Sequence, residues 1–198
     1  MTVRRHDPER RDRIIDACLD LIAEVGVAGV SHRKVAALAD VPLGSMTYHF
    51  AGMDELLREA FGRFSRSVSD GFEQRMSEAT DLASARALVV EIITHDVFGT
   101  ERDLVLTHEL YTLAAREPAF RELTNAWMTR SRAALERHFD PVTARMLDAM
   151  IEGLTIHRAL DTELPTEETI TEAVHRLTAG PDVIGRTSGD RQPGLPIT

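Results

Sequence analysis

The sequence predicts an all-α chain, with a small N-terminal three-helix unit containing a helix-turn-helix and then a larger helical bundle, about nine helices in all. Three observations lead there. Apolar residues recur at three- and four-residue intervals, and nowhere do apolar and polar residues alternate as in a strand. Glycine or proline interrupts the pattern at Gly26, Pro42, Gly52, Gly99, Pro118, Pro141 and Pro165, leaving segments of helical length. Hydrophobic residues form 43% of the 198, enough for a real core.

The first helix should start at Asp7-Pro8, an N-cap followed by a proline at the position where its missing donor costs nothing. Ile14, Ile15, Cys18, Leu19, Leu21, Ile22 and Val25 give it one apolar side, and Gly26 ends it. Ser31 caps a second helix, with Val35 and Leu38 inward and Ala36, Ala37 and Ala39 as small packing residues. Asp40-Val41-Pro42 makes the turn, because Asp tolerates left-handed backbone and Pro42 disfavours helix at Val41. A third short helix runs through Tyr48. Ala51-Gly52 then loops to a long helix that begins at Asp54-Glu55 and carries Leu56, Leu57, Phe61, Phe64 and Val68.

Five further helices follow, at roughly 82–98, 102–116, 118–138, 141–161 and 166–179. The expected organisation is residues 1–52 as the helix-turn-helix unit, 53–180 as the larger helical bundle, and 181–198 as a flexible Gly- and Pro-rich tail.

Net charge is -9, which at first argues against a nucleic-acid partner. Its distribution argues otherwise. Residues 1–50 hold seven Lys or Arg and seven acids, so the excess acid lies entirely in the remainder. Arginines 4, 5, 10, 11 and 13 cluster at one end, where each by itself is an ordinary solvated side chain. No apolar run is long enough to cross a bilayer and no secretory leader is evident, so a cytoplasmic protein without a membrane partner is expected. Cys18, the single cysteine, lies in an apolar stripe and reads as a buried structural thiol.

The outward face of the third helix is expected to carry Leu43, Gly44, Ser45, Thr47, Tyr48 and His49. It is small, hydrogen-bonding and free of acids, which suits the major groove of DNA. Met46 is as well suited to packing inward, and Phe50 reads as core. None of the outward residues gives the bidentate base reading of Arg or Asn, so specificity leans on DNA shape and backbone placement.

A Ser-capped second helix, a turn, G-S-x-T-Y-H-F and a D-E-L-L helix start together resemble the DNA-binding domain of the tetracycline-repressor (TetR) family. The likeness covers about the first sixty residues closely. It implies a homodimeric regulator, most often a repressor, that binds a near-palindromic double-stranded DNA operator and lets go when a small apolar or amphipathic molecule fills the C-terminal bundle. It also implies Tyr48 on a phosphate, with His49 beside it. Two departures stand out: Asp40 where the family often has Gly, and Ala51-Gly52-Met53 where it often has a Lys. Backbone amides at the start of the fourth helix, with Arg33 or Lys34, would then supply the phosphate clamp. Ser31, Arg33 and Lys34 complete the DNA-binding set.

For the effector, the candidates are His95, His108, Tyr111, Trp127, Met128, Met150 and His157, polar tips and soft apolar groups at positions expected to face the bundle interior. For dimerisation they are Leu147, Ile151, Leu154, Ile170, Val174 and Leu177, on two helices that could form a four-helix bundle with a second copy. In a thicker intrachain core the same residues would pack at home. A DNA-binding dimer without any ligand is the first alternative. A helical metal enzyme is the second, resting on His95-Asp96, His108-Glu109 and the Glu172–His175 pair, but helical di-metal sites need two such Glu-x-x-His motifs. Neither a catalytic residue nor a metal or cofactor is expected.

Overall fold

Helix boundaries here have local chemical causes. In the computed structural model, which describes residues 9–96 and 100–179, α1 spans Arg10–Val25. It stops where Gly26 takes φ 68° and donates its amide to the Ile22 carbonyl at 2.8 Å. The expected Asp7-Pro8 start and the 181–198 tail lie outside the described residues. One 3₁₀ turn, Val27–Gly29, leads to α2, His32–Leu38, whose N-cap Ser31 accepts the Lys34 amide at 3.4 Å. Asp40 then takes φ 51°, the single positive φ outside glycine among the described residues, and Pro42 precedes α3, Leu43–His49. That is the turn the sequence predicts.

The bundle comprises α4 (Met53–Ser77), α5 (Leu82–Glu91), α6 (Glu101–Arg116), α7 (Pro118–Leu135), α8 (Pro141–Leu160) and α9 (Glu167–Thr178). Asp81 and Ser84 form a capping box for α5, while Thr100, Asp140 and Thr166 accept first-turn amides of α6, α8 and α9. The segment expected as helix 82–98 departs from that reading after Glu91, where the backbone widens into a π turn, Ile92–Asp96. The Thr94 hydroxyl donates back to the Val90 carbonyl, and Arg158 donates to the Ile93 carbonyl at 3.0 Å. Side chains thus compete for carbonyls that a regular helix would use.

Two apolar clusters hold the helices. The first runs from α1, α2 and α3 through the N-terminal half of α4 into Leu106 and Leu110 of α6 and Phe120 and Trp127 of α7. The second joins Met76, α5, the end of α7, α8 and α9. The three-helix unit therefore shares its core with the bundle, and α4 contributes to both clusters. Cys18 is sealed in the first, where burial pushes its thiol up to about 12 and keeps it protonated.

Burial corrects two expectations. Leu38 is 52% exposed because this seven-residue helix buries the face of Val35, Ala36 and Ala39 instead. Among the dimer candidates, Leu147, Ile151, Ile170 and Val174 are sealed inside their own chain, and Leu154 and Leu177 pack against the same cluster. The apolar stripe of α8 that remains open carries Val142, Met146 and Leu160, exposed at 67%, 41% and 64%. Neighbouring α7, α9 and the π turn claim one stripe of α8 and leave the other. Among the described residues, no helix is long and apolar enough to cross a membrane.

Candidate functional site

Two features stand out. On α3, Met46 is fully buried and Phe50 at its C-cap nearly so, which turns Leu43, Gly44, Thr47 and Tyr48 to solvent. Tyr48 is 81% exposed, its ring edge 4.9 Å from His49 between centroids. Ser45 is not on the outward face: at 8% exposure it lies on the inward side beside Met46. A Cβ added at Gly44 would meet no atom within 4 Å, so the protein's own packing does not require glycine there.

Arg33 and Lys34 stand exposed at the start of α2, and the Lys34 ammonium donates to the Gly29 carbonyl at 2.8 Å. Arg11 sits 5.1 Å from the centre of the Phe50 ring and pairs with Glu59 at 3.0 Å, bracing α1 against α3 and α4. The Ala51 amide donates to the Glu55 carboxylate. One amide next to the expected phosphate clamp is therefore already engaged.

The second feature is a cavity of about 700 Å³ bounded by α1, α4, the π turn, α6, α7 and α8. Phe64, Phe72, Tyr111 and Trp127 give it aromatic walls; Trp127 meets Phe64 edge-on and Tyr111 at a tilt, each at 6.1 Å between centroids. Of the residues expected to contact an effector, Tyr111, Trp127 and Met128 line it. The other four do not. His95 and His157 are exposed, Met150 packs against the second cluster, and the His108 ring bonds the Leu104 carbonyl one turn back at 2.8 Å.

Sequence reasoning missed Asp148 and Glu152, which enter the cavity from α8. Burial pushes both carboxyls above their ordinary range; the Tyr111 hydroxyl, donating to Glu152, and Arg132, beside Asp148, oppose the shift. Two acids four residues apart, and so on one face of α8, were the available signal. Burial and the nearby Glu152 likewise push the Tyr111 phenol upward.

Helix α6 touches both the cavity and the elements that precede α2. Tyr111 faces the cavity, while Arg102 pairs with Asp20 of α1 at 2.8 Å and Glu109 accepts the Val27 amide at 3.3 Å. A Cβ on Gly26 would lie 2.7 Å from the Glu109 carboxylate. The groups considered for metal binding have other uses. Glu172 pairs with Arg176 at 2.7 Å, His175 is exposed, and no three His, Cys, Asp or Glu side chains converge among the described residues.

Residues 14–60 match the family described as bacterial regulatory proteins, tetR family, and residues 77–180 match the tetracyclin repressor-like C-terminal domain. The chain belongs to the TetR family. It is a DNA-binding transcriptional regulator, and TetR-family proteins bind DNA operators and act as dimers. The HTH-type transcriptional regulator BetI 1 of Chromohalobacter salexigens is 27% identical over 164 residues, 77% of this chain and 80% of its own length. Among solved TetR-like structures, SCO7518 of Streptomyces coelicolor A3(2) matches at TM-score 0.82 and 57% identity, over 86% of this chain and 99% of that one. The multidrug binding protein EbrR in complex with ethidium matches at TM-score 0.72 and 36% identity, over 86% and 99%.

Proposed function

We propose that this chain is a homodimeric repressor that reads a near-palindromic operator with α3 and is released when a small organic molecule enters the cavity. The observation that carries this reading is the double engagement of α6. One helix supplies Tyr111 to the cavity and Glu109 to the connector that precedes the Ser31 cap of α2. A molecule that alters the set of α6 would alter the reading head through contacts already in place, provided it binds the DNA-free arrangement more tightly.

EbrR has been solved with ethidium, proflavin and malachite green, which supports a small organic occupant for the corresponding space in this chain. On the DNA side, Leu43, Gly44, Thr47 and Tyr48 would face the groove, with His49, Ser31, Arg33 and Lys34 toward phosphates. Open space at Gly44 favours close approach of the backbone to DNA. Residues 1–52 act as the reading unit and 53–180 as the effector and dimer unit. The Val142, Met146 and Leu160 stripe of α8, with Gly153 in open space beside it, is the dimer face. Two copies of α3 would then meet successive major grooves about 34–36 Å apart.

The test is selection of bound fragments from genomic DNA, followed by salt titration of binding to the selected operator. Tyr48→Phe should weaken binding, and Arg33→Ala or Lys34→Ala should each lower the salt slope by about one where a phosphate contact is lost. Failure to select any DNA, or unchanged slopes in both cation variants with unchanged affinity in the tyrosine variant, counts against this reading.

A further inference from the structure

We infer that the cavity takes a singly charged aromatic cation, with the Trp127 wall against its ring system and Glu152 as its counter-charge. The inference rests on reading the cavity as the effector site. Most charged groups that line the cavity already have partners. Asp16 is held by Arg63 at 2.7 Å, Asp148 by Arg132 at 3.3 Å, and Asp103 lies 3.7 Å from Arg102. The arginines on the lining are committed too, Arg63 to Asp12 and Asp16, Arg102 to Asp20 and Arg75 to Glu91.

Glu152 differs. It is half-buried, receives the Tyr111 hydroxyl, and among the described residues forms no ion pair with an arginine or lysine. The His108 ring on α6 is bonded to the Leu104 carbonyl. A carboxylate enclosed by Tyr111, Trp127 and Ile151 without a fixed cation carries an unpaid desolvation cost, which a mobile cation relieves.

Aromatic faces add attraction for a delocalised positive charge. A neutral ligand of the same shape would bury Glu152 further and leave it uncompensated. An anion would meet arginines that already have carboxylates. A second positive charge would find the other acids occupied, which limits the preferred ligand to one.

Calorimetric titration of the full-length protein without DNA tests this, using ethidium, its dicationic analogue propidium, and neutral phenanthridine. Ethidium should bind at least about tenfold more tightly than phenanthridine, and propidium no more tightly than ethidium. Glu152→Gln, which keeps shape and removes charge, should weaken ethidium about ten- to hundredfold and leave phenanthridine within about twofold. Equal ethidium affinity in the variant, equal affinity of the wild type for phenanthridine, tighter propidium binding, or no ethidium binding by folded protein overturns the inference.

Operator release is scored separately. Glu152-dependent ethidium binding with DNA retained would sustain the ligand class and defeat the release mechanism. Release by a neutral or anionic compound acting equally on Glu152→Gln would do the reverse.

Discussion

Tyr48 stands in solvent with its ring edge against His49, whereas Glu152 is half-buried among Tyr111, Asp148 and the Trp127 wall. The first is placed by its own helix and turn. Asp40 with its positive φ, Pro42 and the inward Met46 orient α3 within a dozen residues. The second is placed by the packing of α6, α7 and α8 against one another, and its electrostatic surroundings follow from which neighbours found partners. Reading surfaces can be set locally because their ligand supplies the missing contacts. A cavity must satisfy or deliberately leave unsatisfied every group that it buries.

The sharpest way to break this comparison is to show that the two regions are mechanically independent. Leu110 of α6 is fully buried in the cluster that also holds α1, α2 and α3. Leu110→Ala should cost about 2–5 kcal/mol. Urea unfolding followed by far-UV circular dichroism and by hydrogen exchange in α1 and α7 should give one shifted transition. Loss of only one region would mean that the shared core is not cooperative.

A smaller effect is expected at the tether. Gly26→Ala meets a positive φ and the Glu109 carboxylate, which would swing away and surrender the Val27 amide; about 1–3 kcal/mol is at stake. Combining it with Glu109→Ala relieves the collision but not the backbone strain. Urea midpoints for the cycle should therefore show coupling of about 0.5 kcal/mol or more, and strict additivity would remove Glu109 from the link.

The smallest effect concerns pH. Burial raises the Glu152 carboxyl above its ordinary 4.5, so the folded chain holds that proton more tightly than the unfolded one does. Relative to Glu152→Gln, the wild type should gain stability as pH falls from 7 through the folded value, levelling off below about 4.5. Asp148, also raised, contributes in the same direction; Asp81 and Asp140, lowered by the hydrogen bonds they accept as helix caps, contribute in the opposite one. Taking the difference between the two proteins isolates Glu152. A flat difference across that range would show that its burial carries no penalty.

These contrasts also explain what was legible in the sequence. Gly26, Ser31, Asp40, Pro118 and Pro141 act within a few residues of themselves, so the helix ends they set could be read directly. Ser45 was misplaced because an outward and an inward serine look alike until Met46 fixes the rotation of α3. Among the dimer candidates, Leu147, Ile151, Ile170 and Val174 turned inward for a different reason. Two apolar stripes on α8 are equivalent in sequence, and only the packing of α7, α9 and the π turn decides which one is consumed. Arg158 bonds the π turn at Ile93 from far along the chain, and that Glu152 pairs with no arginine or lysine among the described residues follows from where Arg63, Arg102 and Arg132 found partners. Such long-range pairing leaves no periodicity to read.

The chain holds one tryptophan and two tyrosines, and they are divided between the regions just compared. Trp127 forms the cavity wall with Tyr111 beside it, while Tyr48 stands alone on α3. Excitation at the red edge of indole absorption consequently addresses the cavity selectively. Occupancy by an absorbing dye would register as quenching or energy transfer from a native chromophore, and the reading face would stay dark. The protein thus carries its own optical gauge of ligand entry, with no label required.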